Sequence, residues 1–319
     1  GGEGGPASRT PEMKLSQMIM AGVTTVVGCL GADGMTRSVE SVLMKAKGLK
    51  QEGVSAFIYT GAYQVPTPTF LGDVGKDIAM IDEVIGTGEI ALSDHRSSTP
   101  SVSELIHLAV HSRIGGMLGN KAGIVNIHMG NARNPFQPLY DSVEESELTL
   151  KQFLPTHCNR NDYIFKDAKL YGKNGFIDLT TSSFPYYPED EVKPSKAIRE
   201  LLKAGVPLAH ITMSSDGFGS LPQFDESGNI IQLDTGSLSS MLDELRDAVI
   251  KEKLDVEAAL RTVTSNVASV LKLLNKGHLA VGKDADMVLL DREFRILHLC
   301  AMGSLMIRGG QLLRKGYYE

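Results

Sequence analysis

Apolar residues along this chain gather into short runs that recur at regular intervals and mostly end on a polar side chain. The runs near residues 23, 54, 85, 124, 152, 176 and 211 are rich in Val, Ile and Phe and are bounded by Gly, Thr or Ser. Such near-continuous apolar runs are what strands covered on both faces require. Between them, apolar positions three and four apart predict helices. Thr10-Pro11 reads as an N-cap followed by Pro at the first helical position, opening a helix that runs to Ala21. Further helices are predicted over 37–52, 73–83, 100–118, 136–150, 161–172 and 193–204. After the run at 211 the pattern turns helical over 236–251 and 255–272.

A strand-helix alternation of this kind implies a parallel sheet. The predicted fold class is α/β, a TIM-type (β/α)8 barrel, over residues 1–274. Seven barrel strands are counted where a closed barrel has eight, so the first strand is expected to precede Gly1. The tail differs: short runs at 287–290, 296–299 and 305–307 are separated by Gly303 and Gly309-Gly310, predicting that residues 275–319 form the C-terminal part of a small β-sandwich appendage.

Candidate chemistry lies where these runs end. Glu89, His128, His157 and Asp216 each sit at the end of a predicted strand, the face on which a barrel of parallel strands keeps its active site. Burying one bare carboxylate costs several kcal/mol, about the order at which coordination to a divalent metal becomes the natural compensation. Neutral imidazole is a preferred zinc ligand, and Asp216 can combine ligation with accepting the proton of an attacking water. Each residue also has a plainer reading: rim histidines bonded to backbone, and Asp216 as a helix cap in Ser-Ser-Asp-Gly. Arg96 and Arg160 follow two of these strands, where guanidinium forks suit bidentate carboxylate binding and surface ion pairing is the alternative. Tyr63 follows the run at 54 and is placed to donate to a developing oxyanion or simply to pack at the rim. His95 reads as a ligand or a loop hydrogen-bonding residue; His107, His111, His210, His278 and His298 read as structural. Glu3, alone in a Gly-rich loop, reads by composition as a solvated charge.

Composition narrows the function classes. With 319 residues and 42% hydrophobic content the chain can bury a large core. A formal net charge of -6 without any Lys/Arg cluster argues against nucleic acid as a partner. Three widely spaced cysteines make a disulfide framework unexpected and a reducing compartment, the cytoplasm, the default. No apolar run approaches 18 residues, so no membrane span is expected. Gly115-Gly-Met-Leu-Gly119 lacks the Lys-Ser/Thr ending of a phosphate loop, no Gly-x-Ser-x-Gly elbow is present, and Cys158 beside His157 does not make a thiol nucleophile.

Taken as motifs, these residues resemble a known family. Gly1-Gly-Glu-Gly-Gly-Pro6, Thr60-Gly-Ala-Tyr63, Ser93-Asp-His-Arg96, Leu154-Pro-Thr-His-Cys-Asn-Arg160 and Ser214-Ser-Asp-Gly-Phe-Gly-Ser220 are similar to those of the isoaspartyl (β-aspartyl) dipeptidases of the amidohydrolase superfamily, nearly end to end. The tail from Lys276 resembles the return of that superfamily into its small β-sandwich. The resemblance implies a zinc-dependent metallo-dipeptidase that hydrolyses the β-aspartyl bond of isoaspartyl dipeptides with metal-bound hydroxide. It implies two Zn2+ per subunit in the complete protein, with His128 and His157 on one and Asp216 on the other, Asp216 also shuttling the proton. Tyr63 would polarise the scissile carbonyl, Glu3 and Ser220 would hold the free amino group, and Arg96 and Arg160 the carboxylates. A homo-oligomer, an octamer, is implied as well.

Two departures stand out. Where some members bridge their metals with a carboxylated lysine, this chain has Glu89, which can bridge unmodified. The family's His-x-His pair on the first barrel strand is absent, and a protein limited to these residues is expected to be weakly active and poorly stable, with a barrel edge exposed. The alternatives are another amidohydrolase cleaving cyclic amides, such as a dihydroorotase or hydantoinase, or a barrel that binds without catalysis.

Overall fold

The computed structural model describes residue 2 and residues 4–319. Seven parallel strands appear where the apolar runs predict them: β1 (Thr25–Gly28), β2 (Ser55–Thr60), β3 (Val84–Leu92), β4 (Ile124–Met129), β5 (Phe153–Thr156), β6 (Ile177–Thr180) and β7 (Ile211–Ser214). β1 to β5 form one curled sheet in chain order, and β6 pairs with β7 in register Ile177↔Ile211. Strands β3, β4, β5 and β6 are buried along their whole length, which accounts for their apolar runs.

Helices α1 (Leu15–Met20), α2 (Val39–Glu52), α3 (Val74–Met80), α4 (Val102–Gly119), α5 (Gln137–Glu144), α6 (Asp162–Tyr171) and α7 (Pro194–Lys203) fall between or before the strands. Their starts carry the expected chemistry. Ser101 and Glu104 close a capping box on α4, and Asn161 caps α6 by accepting from Ile164 N. The main core lies between this helical layer and the sheet, where Leu105 and Ala109 of α4 meet Ile90, Val125 and Ile127. The layers approach closely where side chains vanish: a Cβ on Gly116 would lie 2.7 Å from Gly123 Cα.

Three expectations need correction. The first helix starts at Leu15, not at Pro11; Gln17 Oε1 accepts from Lys14 N at 2.9 Å and residues 10–14 run irregularly. The predicted 255–272 helix divides into α9 (Val256–Arg261) and α10 (Ser265–Val270). The Thr262 and Thr264 hydroxyls donate to the carbonyls of Ala259 and Leu260, and Thr264 leaves helical space at φ -129°, ψ -94°. Between β7 and α8 (Ser240–Ile250) the chain forms an unforeseen antiparallel hairpin, β8 (Ser220–Phe224) with β9 (Ile230–Thr235). Its turn is held by the Asp225 carboxylate, which accepts from Ser227 N and Asn229 N.

The tail forms a four-stranded antiparallel sheet, β10 (Met287–Leu290), β11 (Ile296–Ala301), β12 (Ser304–Arg308) and β13 (Gln311–Leu312). It packs on the barrel through α1, with Leu15, Met18 and Ile19 against Leu299, Met306 and Ile307. Lys276 pins the junction by binding Asp284 and Asp286 and donating to Ser55 Oγ. Among the described residues no helix is long and apolar enough to cross a membrane, and all three cysteines are free.

Candidate active site

The C-terminal strand ends open into one cavity of about 1000 Å³ lined by Tyr63, Glu89, Arg96, His128, His157, Arg160, Asp216 and Ser220. Local backbone irregularities aim several of them. Between Thr87 and Ile90 strand β3 carries one residue more than its partner between Val125 and Ile127, a bulge that falls on Gly88-Glu89. His157 and Asp216 both take the left-handed region, at φ 60° and 49°, one residue beyond β5 and two beyond β7. Non-glycine residues rarely adopt it, and such conformations persist where surrounding contacts enforce them.

Glu89 Oε1 lies 3.0 Å from His128 Nδ1 and 3.1 Å from His157 Nε2. The two imidazoles meet edge to face, 4.5 Å between centroids. Burial pushes the Glu89 carboxyl up, but the charge and hydrogen bonds of His128 and His157 overcome it and hold the group well below the usual carboxylate range. One ligand-type atom from each of Glu89, His128 and His157 falls within 4.8 Å of the others, and all three residues are buried. Ligands about 2.1 Å from a tetrahedral zinc lie roughly 3.4 Å apart, so these separations and this nitrogen-oxygen donor set fit a divalent cation.

Asp216 lines the same cavity but stands outside that three-residue group. Burial and the Glu89 charge push its carboxyl up to about 6, against the opposing pull of His157. Tyr63 Oη lies 2.7 Å from His128 Nδ1, and the Arg96 guanidinium covers its ring at 5.2 Å. Burial pushes the Tyr63 hydroxyl well above its ordinary value, so it remains an O–H donor. Ser220 Oγ is buried and has no hydrogen-bond partner among the described residues, an orphaned polar atom facing the cavity. Glu3 lies outside the described residues. His95 stays at the exposed rim.

Sequence reasoning passed over Asp94. It accepts both arms of Arg96, at 3.0 and 3.1 Å, lies 3.6 Å from Arg160 Nη1, and faces His128 Nε2 at 3.1 Å. Burial would raise its carboxyl; bonds from His128 and Arg96 hold it far below the usual range. Its place in Ser93-Asp-His-Arg96 was the available signal, and the sequence reading gave it no role. Arg160 also donates to Met129 O at 3.0 Å, so both guanidiniums stand fixed at the cavity wall.

Comparison with known proteins gives the same direction. The model of the amidohydrolase family matches residues 182–298, and amidohydrolases of this family are metal-dependent. The structure of a β-aspartyl dipeptidase from Fervidobacterium islandicum AW-1, in complex with β-Asp-Leu dipeptide, superposes with a TM-score of 0.92 at 44% identity, covering 99% of this chain and 83% of that one. A second structure of β-aspartyl dipeptidase from that organism gives 0.89 at 41% identity over 99% and 82%. Adenine deaminase 2 of Rhizobium meliloti (strain 1021) is 37% identical over 75 residues; the match spans 23% of this chain and only 13% of that protein's length.

Proposed function

This chain belongs to the β-aspartyl dipeptidase family of the amidohydrolase superfamily, and on that premise we propose that it hydrolyses the β-aspartyl bond of isoaspartyl dipeptides with zinc as its metal. The observation that carries the reading is the convergence of Glu89, His128 and His157 on one point at the foot of a cavity whose wall holds Arg96 and Arg160.

Glu89, His128 and His157 would hold the cation, with Asp216 beside them. When bound, zinc supplies a lowered pKa for a water, bringing it to about 7, and polarises a carbonyl oxygen. The remaining work falls to the protein. Tyr63, kept protonated by burial, donates to the oxygen on which negative charge develops as the peptide carbon becomes tetrahedral. Asp216, whose carboxyl lies near 6, is ionised at neutral pH and close enough to its titration to take the proton from water and return it to the leaving amine. Arg96 and Arg160 bind the substrate's carboxylates, their positions fixed by Asp94 and Met129 O. Ser220 Oγ, which lacks a partner among the described residues, completes its hydrogen bonding on the substrate's amino group.

This substrate assignment is tested by hydrolysis of β-Asp-Leu beside α-Asp-Leu, using zinc-loaded protein expressed from its complete reading frame. Cleavage of the β-linked dipeptide alone is expected. Cleavage of neither, or of cyclic amides instead, would replace it with a different amidohydrolase activity.

A further inference from the structure

His157 turns one ring nitrogen toward Glu89; the other, Nδ1, lies 2.7 Å from Thr180 Oγ1. Asn159 holds the Thr180 backbone from both sides, accepting from its N–H at 2.8 Å and donating to its carbonyl at 3.1 Å. Thr180 Oγ1 in turn lies 3.5 Å from Thr156 Oγ1, and Thr156 donates to Asp178 Oδ2 at 2.7 Å. Asp178 stands on β6 two residues before Thr180 and is 4% exposed. It also accepts from Ser214 Oγ at 2.5 Å and Thr212 Oγ1 at 2.7 Å on β7, and forms no ion pair among the described residues.

Proton counting gives this row of groups a direction. An ionised carboxylate only accepts, and each hydroxyl has one proton to give. Thr156 spends its proton on Asp178 and can only accept from Thr180. Thr180 can turn its own proton toward Thr156, 3.5 Å away, which leaves its oxygen free to accept from His157. When Nε2 ligates a metal ion, Nδ1 must carry the ring hydrogen, and this order of donors lets Thr180 accept it.

We propose that Asp178 is a positioning residue which, through Thr156 and Thr180, fixes the orientation of His157 and the tautomer whose Nε2 accepts a metal ion. The inference rests on the reading of His157 as a metal ligand. Ligating histidines commonly send their second N–H to a carboxylate or carbonyl, and altering that partner costs about 10- to 100-fold in metal affinity or activity. Here the carboxylate acts through two hydroxyls. Asp178→Asn replaces one accepting oxygen by an N–H; turned toward Thr156, that N–H reverses both hydroxyls and sets a donor against Nδ1, favouring the tautomer that cannot ligate through Nε2.

The test is Co2+ titration of the purified protein, read by affinity and by the visible d–d absorption, together with thermal unfolding of the metal-free form. Asp178→Asn is expected to weaken Co2+ binding about 10- to 100-fold and to alter the spectrum. Thr156→Val and Thr212→Val each delete one hydrogen bond to Asp178, but only Thr156 lies on the path to His157. Thr156→Val is expected to weaken Co2+ binding and Thr212→Val to leave it unchanged, whatever each does to unfolding, and this pair decides the matter if Asp178→Asn does not fold. Equal Co2+ binding by the two valine variants would overturn the proposal and reduce Asp178 to a strut between strands. His157→Ala separates the premise from the inference: wild-type Co2+ binding in that variant would remove His157 from the ligand set, whereas lost binding there with intact binding in Asp178→Asn would sink the role of Asp178 alone.

Discussion

His128 and His157 face the same Glu89 oxygen at nearly equal distances, yet what stands behind each ring differs. Behind His128 is Asp94, on the loop after β3, in direct contact and also holding Arg96 and Arg160. Behind His157 is a row of hydroxyls leading inward to Asp178, sealed between β5, β6 and β7. One side therefore shares its supporting carboxylate with the two guanidiniums proposed to bind substrate; the other is braced by the barrel alone. Disturbing the first should perturb metal and substrate binding together, whereas disturbing the second should perturb the metal only.

The largest effect on this comparison is expected at Tyr63, which sits against His128. Tyr63→Phe removes the donor to the developing oxyanion and should lower kcat by about 10²–10³ with little change in KM; a normal kcat would take the carbonyl-polarising role away from the His128 side. Asp94→Asn should lower Zn2+ affinity about 10- to 100-fold and raise KM for β-Asp-Leu in the same variant. If metal affinity falls and KM stays fixed, the two duties assigned to Asp94 are separate. Arg160→Met should raise KM about 10- to 100-fold, the range for a hydrogen bond to a charged group, while metal content holds, because Arg160 leaves the His157 loop to reach Asp94 and Met129. Steady-state kinetics beside metal analysis reads both.

The smallest effect concerns Asp216, which feels His157 most strongly of the charges near it. Folding raises its carboxyl from 3.8 to about 6, so its charge opposes folding. The favourable balance is present in full below the unfolded value and is lost as pH rises through about 6, in the metal-free protein. Asp216→Asn should therefore stabilise the metal-free form at about pH 8 by about 2–3 kcal/mol and do nothing at about pH 3. Urea unfolding at the two pH values checks this; equal effects at both would mean that Asp216 is not strained by its surroundings.

The barrel was legible because strands covered on both faces need uninterrupted apolar runs, and all seven lie where those runs are. Glu89, His128 and His157 were legible for a related reason: each interrupts or ends such a run. Asp94 was not, because an acid beside an arginine in a polar loop looks like any solvated pair until the loop folds over His128. Asp178 was hidden differently. Ile177-Asp-Leu-Thr180 alternates, but only the closed side of the sheet shows that Asp178 and Thr180 point inward, toward hydroxyls contributed by β5 and β7. The break at Thr262–Thr264 and the 220–235 hairpin depended on side-chain bonds to local backbone, which apolar periodicity does not register.

The proposed chemistry depends on one point in space, the meeting of Glu89, His128 and His157. Crystals of the zinc-loaded protein, measured on either side of the zinc absorption edge, locate the metal directly. An anomalous peak in contact with Glu89 Oε1, His128 Nδ1 and His157 Nε2 is the predicted result. Zinc bound elsewhere, with these three side chains still bonded only to one another, would contradict the assignment of the centre and of the chemistry derived from it.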